Sequence, residues 1–235
     1  MPRSPIKRPP ASLDISRWLR TVEQLPASIT DGQASIAKVP ATITEAPSTG
    51  STLFTNDQPL EIEIGSGKGL FLTNAAQSNP EHNFIGIEII AKYAQHAAGR
   101  LAKSNLENAL MVSGNAEPIF QERIVQGTLE AVHVYFPDPW WKKRHRQRRV
   151  VNEASVRNIS RALRPGGRFH FWTDVLDYFE MAVEMIADVT PELGVPIPEE
   201  EIAASHDLDY RTHFERRSRK HQIPVYRVRY EKRAE

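Results

Sequence analysis

The chain has 235 residues, 40% hydrophobic and 25% charged, enough to bury a sizeable core, with a net charge of only +1. A polyanionic partner must therefore be met by local clusters of charge rather than by the total. The absence of cysteine excludes disulfides, thiolate–zinc sites and thiol nucleophiles and fits a reducing cytoplasm, and no apolar run approaches the length of a membrane span or a secretory signal.

Residues 1–58 read as an N-terminal extension, Pro-punctuated, rich in Ser, Thr and Ala, and largely flexible. Leu13, Trp18, Leu19 and Val22 are spaced to share one face of a short helix over 13–25. Arg3, Lys7, Arg8, Arg17 and Arg20 read first as a solvated tail, with an RNA-grasping arm as the alternative. From residue 59 to 235 apolar strands and helical stretches alternate. Strands are expected over 60–64, 84–87, 109–112, 129–136 and 168–172, and helices over 70–77, 91–103, 117–125, 153–163 and 178–188. Arg164-Pro165-Gly166-Gly167 reads as a break before the fifth strand, and 225–230 alternates like an edge strand. This is an α/β pattern: a mostly parallel twisted sheet with helices on both faces, whose ligands bind beyond the carboxyl ends of the strands.

Three strand ends carry groups suited to an adenosine cofactor. Glu63-Ile64-Gly65-Ser66-Gly67-Lys68-Gly69 runs from strand into a glycine turn and then a helix. The spacing is neither the dinucleotide G-x-G-x-x-G nor a P-loop, since Lys68 is followed by Gly69. Glu88 ends the second strand, where an acid accepts from both ribose hydroxyls. Asn115 follows the third, where an amide reads an adenine edge. Glu63 is placed to meet a cationic amino acid group and to repel a pyrophosphate, so S-adenosylmethionine fits better than NAD.

The fourth strand ends in Phe136-Pro137-Asp138-Pro139-Trp140-Trp141, followed by six Lys/Arg within residues 142–149. The prolines restrict the backbone around the acid, the indoles offer stacking faces, and the basic run offers phosphate contacts. Asp174, in Trp172-Thr173-Asp174, reads equally as a substrate contact and as an N-cap of the next helix. A second basic region, Arg211 to Arg233, reads as a further RNA-facing surface. None of the eight His has metal-ligand spacing, and no metal site is expected.

The chain resembles the tRNA (guanine-N7)-methyltransferases over about residues 60–232. The resemblance rests on E-I-G-S-G-K-G at 63–69, F-I-G-I-E at 84–88, F-P-D-P-W-x-K-K-R-H from 136, W-T-D at 172–174, T-H-F-E at 212–215 and P-V-Y-R at 224–227. It implies a Rossmann-like class I methyltransferase fold with a C-terminal antiparallel edge strand. The implied activity is methyl transfer from S-adenosylmethionine to N7 of a guanine in the tRNA variable loop, position 46 of the tRNA. Matched residue by residue, it implies cofactor contacts by Glu63, Gly65, Gly67, Gly69, Glu88, Asn115 and Asp138, with Asp138 also the catalytic-site acid. It implies substrate contacts by Lys142, Asp174, Thr212, His213, Phe214 and Glu215, and RNA contacts by Arg144, His145, Arg146, Gln147, Arg148 and Arg149. The family commonly carries Asp where this chain has Asn115; an amide still both donates and accepts. Two other readings stay open: a methyltransferase for another RNA base or an exocyclic amine, and an RNA-binding module without activity. Nothing in the sequence requires a protein partner, and the oligomeric state is left open.

Overall fold

The computed structural model describes residues 6, 8–30, 53–140, 143–201 and 210–234. The alternation of apolar strands and helices produces an eight-stranded sheet. In chain order the strands are β1 (Leu19–Thr21), β2 (Leu60–Ile64), β3 (Asn83–Glu88), β4 (Ala109–Ser113), β5 (Leu129–Tyr135), β6 (Leu163–Thr173), β7 (Ile197–Pro198) and β8 (Tyr226–Glu231). The helices are α1 (Leu70–Ser78), α2 (Ala91–Lys103), α3 (Ala116–Glu122), α4 (Glu153–Ala162), α5 (Leu176–Val189) and α6 (His213–Lys220). Strand order is β1-β4-β3-β2-β5-β6-β8-β7. Pairs from β1 to β6 are parallel; β8 runs antiparallel between β6 and β7. Thus β8 is antiparallel as expected, but the two-residue β7 lies outside it.

The sheet is covered on both faces, and the period of two along each strand decides what each face meets. Ile62, Ile64, Ile85, Ile87, Val132 and Val134 join one core with Val156 and Ile159 of α4 and Ala182 and Ile186 of α5. On the opposite face Phe84, Ala109 and Met111 pack with Leu72 of α1 and Ala94, Ala97 and Leu101 of α2. Each such fully buried Leu or Ile contributes about 1.5–3 kcal/mol. Next to that second core the face is polar: Glu61 and Glu63 of β2, and His133 of β5, are buried there.

Two expectations are corrected. The helix over 13–25 does not form; Leu19–Thr21 adds in parallel to Met111–Ser113, and Val22–Gln24 makes one 3-10 turn. Trp18 and Leu19 pack into the α1/α2 core, and Leu25 and Ile29 are buried in the other, so the helical spacing arose from a chain that must touch two cores. Arg164-Pro165-Gly166-Gly167 does not precede β6 but lies within it. Leu163 already pairs with Leu129, and the register shifts before Ala131 pairs with Arg168. Gly166, at φ 74°, lets the strand bulge there.

Candidate active site

The strand order reverses between β2 and β5, so the carboxyl ends of β2, β3 and β4 lie on one side of a switch point and those of β5 and β6 on the other. Every strand-end residue singled out in the sequence stands along this edge.

On the first side, Gly65, Gly67 and Gly69 all have left-handed φ, from 53° to 81°. At Gly69, the N-cap of α1, a Cβ would lie 2.6 Å from the Ala97 Cβ, so only glycine lets α1 start this close to α2. The turn is tied down by the Gly65 and Ser66 N–H groups, which donate to the Ile87 carbonyl at 2.8 and 3.1 Å. Glu88 accepts from the Gly67 and Ile90 N–H groups, one on each carboxylate oxygen, both at 2.8 Å. Each oxygen keeps a lone pair for a ribose hydroxyl. The Asn115 side chain caps α3, accepting from the Glu117 N–H at 3.2 Å. Its amide N–H₂ stays available to donate.

Glu63 is the more deeply buried of the two acids on this side. It is only 4% exposed, and its Oε2 has no hydrogen-bond partner among the described residues. Burial, with the Glu88 carboxylate close by, pushes it up to about 8. A buried acid with one oxygen unpaired beneath a glycine turn suits a cation. The ammonium of S-adenosylmethionine supplies one, so the residues present fit that cofactor.

On the second side, the chain leaves β5 through a constrained turn. Phe136 and Trp140 adopt φ of 50° and 43°, a left-handed conformation that costs bulky residues about 1–2 kcal/mol each. The Phe136 N–H donates to the Trp172 carbonyl at 2.8 Å and its ring stacks on Phe214 at 5.9 Å. The Pro139 carbonyl accepts from Arg149 Nε at 2.7 Å. Held at both ends, Asp138 projects into solvent. A cleft of about 250 Å³ opens beside it, lined by Pro137, Asp138, Asp174, Phe214, Arg217 and Ile223 among others. Asp138, Asp174 and Phe214, distant in sequence, thus share one cavity. Asp174 is not a cap: the N-cap of α5 is Val175, whose N–H donates to Thr173 Oγ1.

The structure divides the remaining site residues. Thr212 caps α6, accepting from the Glu215 N–H at 3.0 Å. Glu215, 1% exposed, accepts from the Arg211 N–H and from Arg219. These two build the helix that presents His213 and Phe214. Arg149 is buried, its guanidinium 4.7 Å from the Tyr178 ring, and so leaves the expected RNA-binding group to brace the turn. Arg144, Gln147 and Arg148 are exposed; Arg148 lies 5.4 Å over Trp140, and His145 meets the same ring edge-on. Lys142 and Trp141 lie outside the described residues, as does the side chain of Arg146.

Part of the C-terminal basic region is consumed by contacts within the fold. Arg227 pairs with Glu201 and Glu215, Arg219 with the same two acids, and Lys232 Nζ donates to the Ser160 and Leu163 carbonyls. Of its cations, Arg216, Arg217 and Lys220 on α6 and Arg233 beyond β8 are exposed.

Sequence reasoning missed a buried polar chain that joins the two sides. Glu61 accepts from His82 at 2.5 Å and from His133 Nε2 at 2.7 Å. Tyr135 donates its hydroxyl proton to His133 Nδ1 at 2.9 Å and accepts from Arg211 at 3.0 Å. Against the cost of burial, the two histidines hold Glu61 down to about 2, and burial first of all pushes His133 down to about 4. The alternation of Glu61 and Glu63 along β2 was the available signal: charges on an inward face require partners.

No helix among the described residues is long and apolar enough to cross a membrane. No group of three or more His, Asp or Glu among them is placed to hold a metal ion.

A methyltransferase family model (Methyltransf_4) matches residues 57–228. The chain is 55% identical to the tRNA (guanine-N(7)-)-methyltransferase of Rhodopirellula baltica, over 100% of this chain and 81% of that protein. It is 35% identical to the one from Geobacter metallireducens, over 80% of this chain and 89% of that protein. Among solved structures, the 16S rRNA methyltransferase KamB matches with a TM-score of 0.55 at 15% identity, covering 75% of this chain and 89% of that one. At that identity the likeness speaks for the fold, a Rossmann-like class I methyltransferase sheet. With the glycine turn, the buried Glu63 and the Asp138 cleft on one sheet edge, the chain belongs to the tRNA (guanine-N7)-methyltransferase family.

Proposed function

We propose that this chain transfers a methyl group from S-adenosylmethionine to N7 of a guanine in tRNA, in the variable loop at position 46 of the tRNA, in the cytoplasm. The observation that carries this reading is the convergence of Asp138, Asp174 and the Phe214 ring in one cleft beside the glycine turn's side of the sheet. Residues 59–235 constitute the catalytic domain.

The bound cofactor supplies an electrophilic methyl group on a sulfonium. Glu63 pairs with its ammonium, Glu88 accepts from its ribose hydroxyls, and the Asn115 amide meets its adenine. Guanine N7 has a free lone pair and no proton to lose, so no general base is needed. The protein's task is positioning, with reacting atoms about 3–3.5 Å apart and in line. Asp138 accepts from the guanine N1–H or exocyclic amine, Asp174 shares that work, and Phe214 gives the base a stacking face. Neither acid changes protonation. Arg144, Arg148 and the Trp140 face meet the RNA backbone beside the cleft, with Lys142 and Arg146 in the same run.

The test is incubation of the purified chain with labelled cofactor and unmodified tRNA, followed by nucleoside mapping. Label on N7 of guanine is expected; label on another base or on an exocyclic amine overturns the reading.

A further inference from the structure

At two glycines of the catalytic domain a side chain would collide with the N-terminal extension. A Cβ on Gly99 of α2 would lie 2.7 Å from Pro9, and one on Gly114 would fall closer still to Val22 Cγ2. The second contact is at the carboxyl edge of the sheet, where Thr21, Ser113 and Glu88 stand abreast at the ends of β1, β4 and β3. Gly114, one residue on, donates its N–H to the Glu88 carbonyl at 3.0 Å. Asn115 follows it and begins α3. Val22 thus lies against the backbone that runs between the ribose acid and the adenine amide.

Covering the edge of β4 requires only the short strand. There the Trp18 carbonyl accepts from the Met111 N–H at 2.8 Å, and Trp18 Nε1 donates to the Leu106 carbonyl at 2.7 Å. The extension goes on past the sheet. Val22–Gln24 makes its 3-10 turn, closed by the Thr21 N–H donating to Gln24 Oε1 at 2.8 Å. The chain then reaches the far end of α3. Arg123 donates to the Leu25 and Pro26 carbonyls, both at 3.1 Å, and the Ile29 N–H donates to the Arg123 carbonyl at 2.7 Å. The extension therefore holds α3 at both ends, through Val22 at the first and through Leu25 to Ile29 at the last. With both ends held, α3 keeps its place against the sheet, and the Asn115 amide keeps its place with it.

We propose that the Thr21–Gln24 turn of the N-terminal extension completes the adenine end of the cofactor site, with Val22 the positioning residue that fixes Asn115 against the base. The inference rests on the reading of the Asn115 amide as the adenine contact and deepens it. Val22 acts through Gly114: its methyl group fills the space a side chain there would take, and so sets the path of the backbone into Asn115. Glu88 is fixed instead by the Gly67 and Ile90 N–H groups, so the ribose contact is independent of the extension.

The test is a compensating pair in the full chain, read by calorimetry with S-adenosylhomocysteine. Gly114→Ala should weaken binding about tenfold, because the new Cβ collides with Val22 Cγ2. Adding Val22→Ala removes the collision, since the Val22 Cβ itself is 3.8 Å from that new atom, an ordinary contact. The double variant should therefore bind within about threefold of wild type. Val22→Ala alone should weaken S-adenosylhomocysteine about threefold, raise KM for S-adenosylmethionine to match, and leave kcat and tRNA affinity unchanged. The same change made in Asn115→Ala should have no further effect, and this cycle carries the test if Gly114→Ala does not fold. A double variant that binds no better than Gly114→Ala would overturn the proposal. So would a Val22→Ala loss of equal size with and without Asn115, which would make the extension a support for the fold alone. Failure of the Asn115 reading is distinguishable: Asn115→Ala would then bind S-adenosylhomocysteine as wild type does, and the inference would fall with it. The binding measurements do not depend on which base is methylated.

Discussion

The two sides of the switch point use acids in opposite ways. On the cofactor side Glu63 and Glu88 are buried, at 4% and 7% exposure, and Glu88 is fixed by backbone N–H groups. On the substrate side Asp138 and Asp174 stand in solvent at the rim of a cleft. A small charged cofactor is recognised by burying its charges against preformed partners, where each is worth more in a low dielectric. A nucleotide carried on a large polyanion must reach its acids from outside, so rigidity there comes from the backbone: two prolines, two left-handed residues and the Arg149 brace. Disturbing the first side should be read in cofactor affinity and its pH dependence, and disturbing the second in turnover.

The largest effect should come from the exposed side. Asp138→Ala should lower kcat by about a hundredfold or more, as loss of alignment does, with tRNA affinity changed little. Single-turnover rates alongside binding measurements check this; retained turnover would remove Asp138 from its orienting role. Glu63→Gln should weaken S-adenosylmethionine binding by about 2–3 kcal/mol near pH 8, because the cofactor's ammonium loses its charged partner. In the wild type the raised Glu63 holds a proton below about 8 and must release it to pair with an ammonium. Cofactor affinity should therefore rise with pH up to about 8, by at most about tenfold per pH unit, and fall above it as the cofactor's own α-ammonium loses its proton. Calorimetry in buffers of different ionisation enthalpy reports that proton directly, and its absence would show that Glu63 meets no cation.

Packing on the cofactor side is probed by Gly69→Ala. With φ at 69° and Ala97 2.6 Å from the new Cβ, the substitution should cost about 1–3 kcal/mol of stability. Cofactor affinity should fall with it, while tRNA affinity holds. Phe214→Ala should raise KM for tRNA about five- to tenfold, the size of one lost base stack, and leave cofactor binding alone. The smallest effect concerns the chain that joins the sides. Unfolded His133 takes up a proton near 6.5, but the folded residue refuses it down to about 4. Stability should therefore decline as pH falls from about 6.5 to 4. Glu61, held at about 2 against an ordinary 4.5, extends the decline below that. Thermal unfolding across this range measures it, and a flat profile would show that the buried chain does not link the sides as drawn.

Much of this was legible from local signals. The five parallel strands from β2 to β6, the glycine turn, Glu88 and the Pro-bracketed Asp138 each announce themselves within a few residues, because strand period, positive φ and proline geometry are local properties. The T-H-F-E segment was read as four equivalent contacts; the fold splits it, since a helix beginning at His213 turns Thr212 and Glu215 inward. The C-terminal arginines looked like a second RNA surface because Glu201 lies outside their stretch of sequence and enters only by folding. Arg149 was indistinguishable in a basic run from Arg148, yet one bonds a carbonyl and the other lies in solvent.

The sheet, the order of groups along its edge and, through family resemblance, the chemistry performed there were readable in the chain before folding. Those follow from short-range periodicity and from motifs whose residues are neighbours in the chain. Which charges face solvent and which are consumed inside was settled by folding. It buried Glu63 with one carboxylate oxygen unpaired among the described residues, and it paired Arg219 and Arg227 with acids. Burial and pairing are properties of positions in space, and they depend on contacts between residues far apart in sequence.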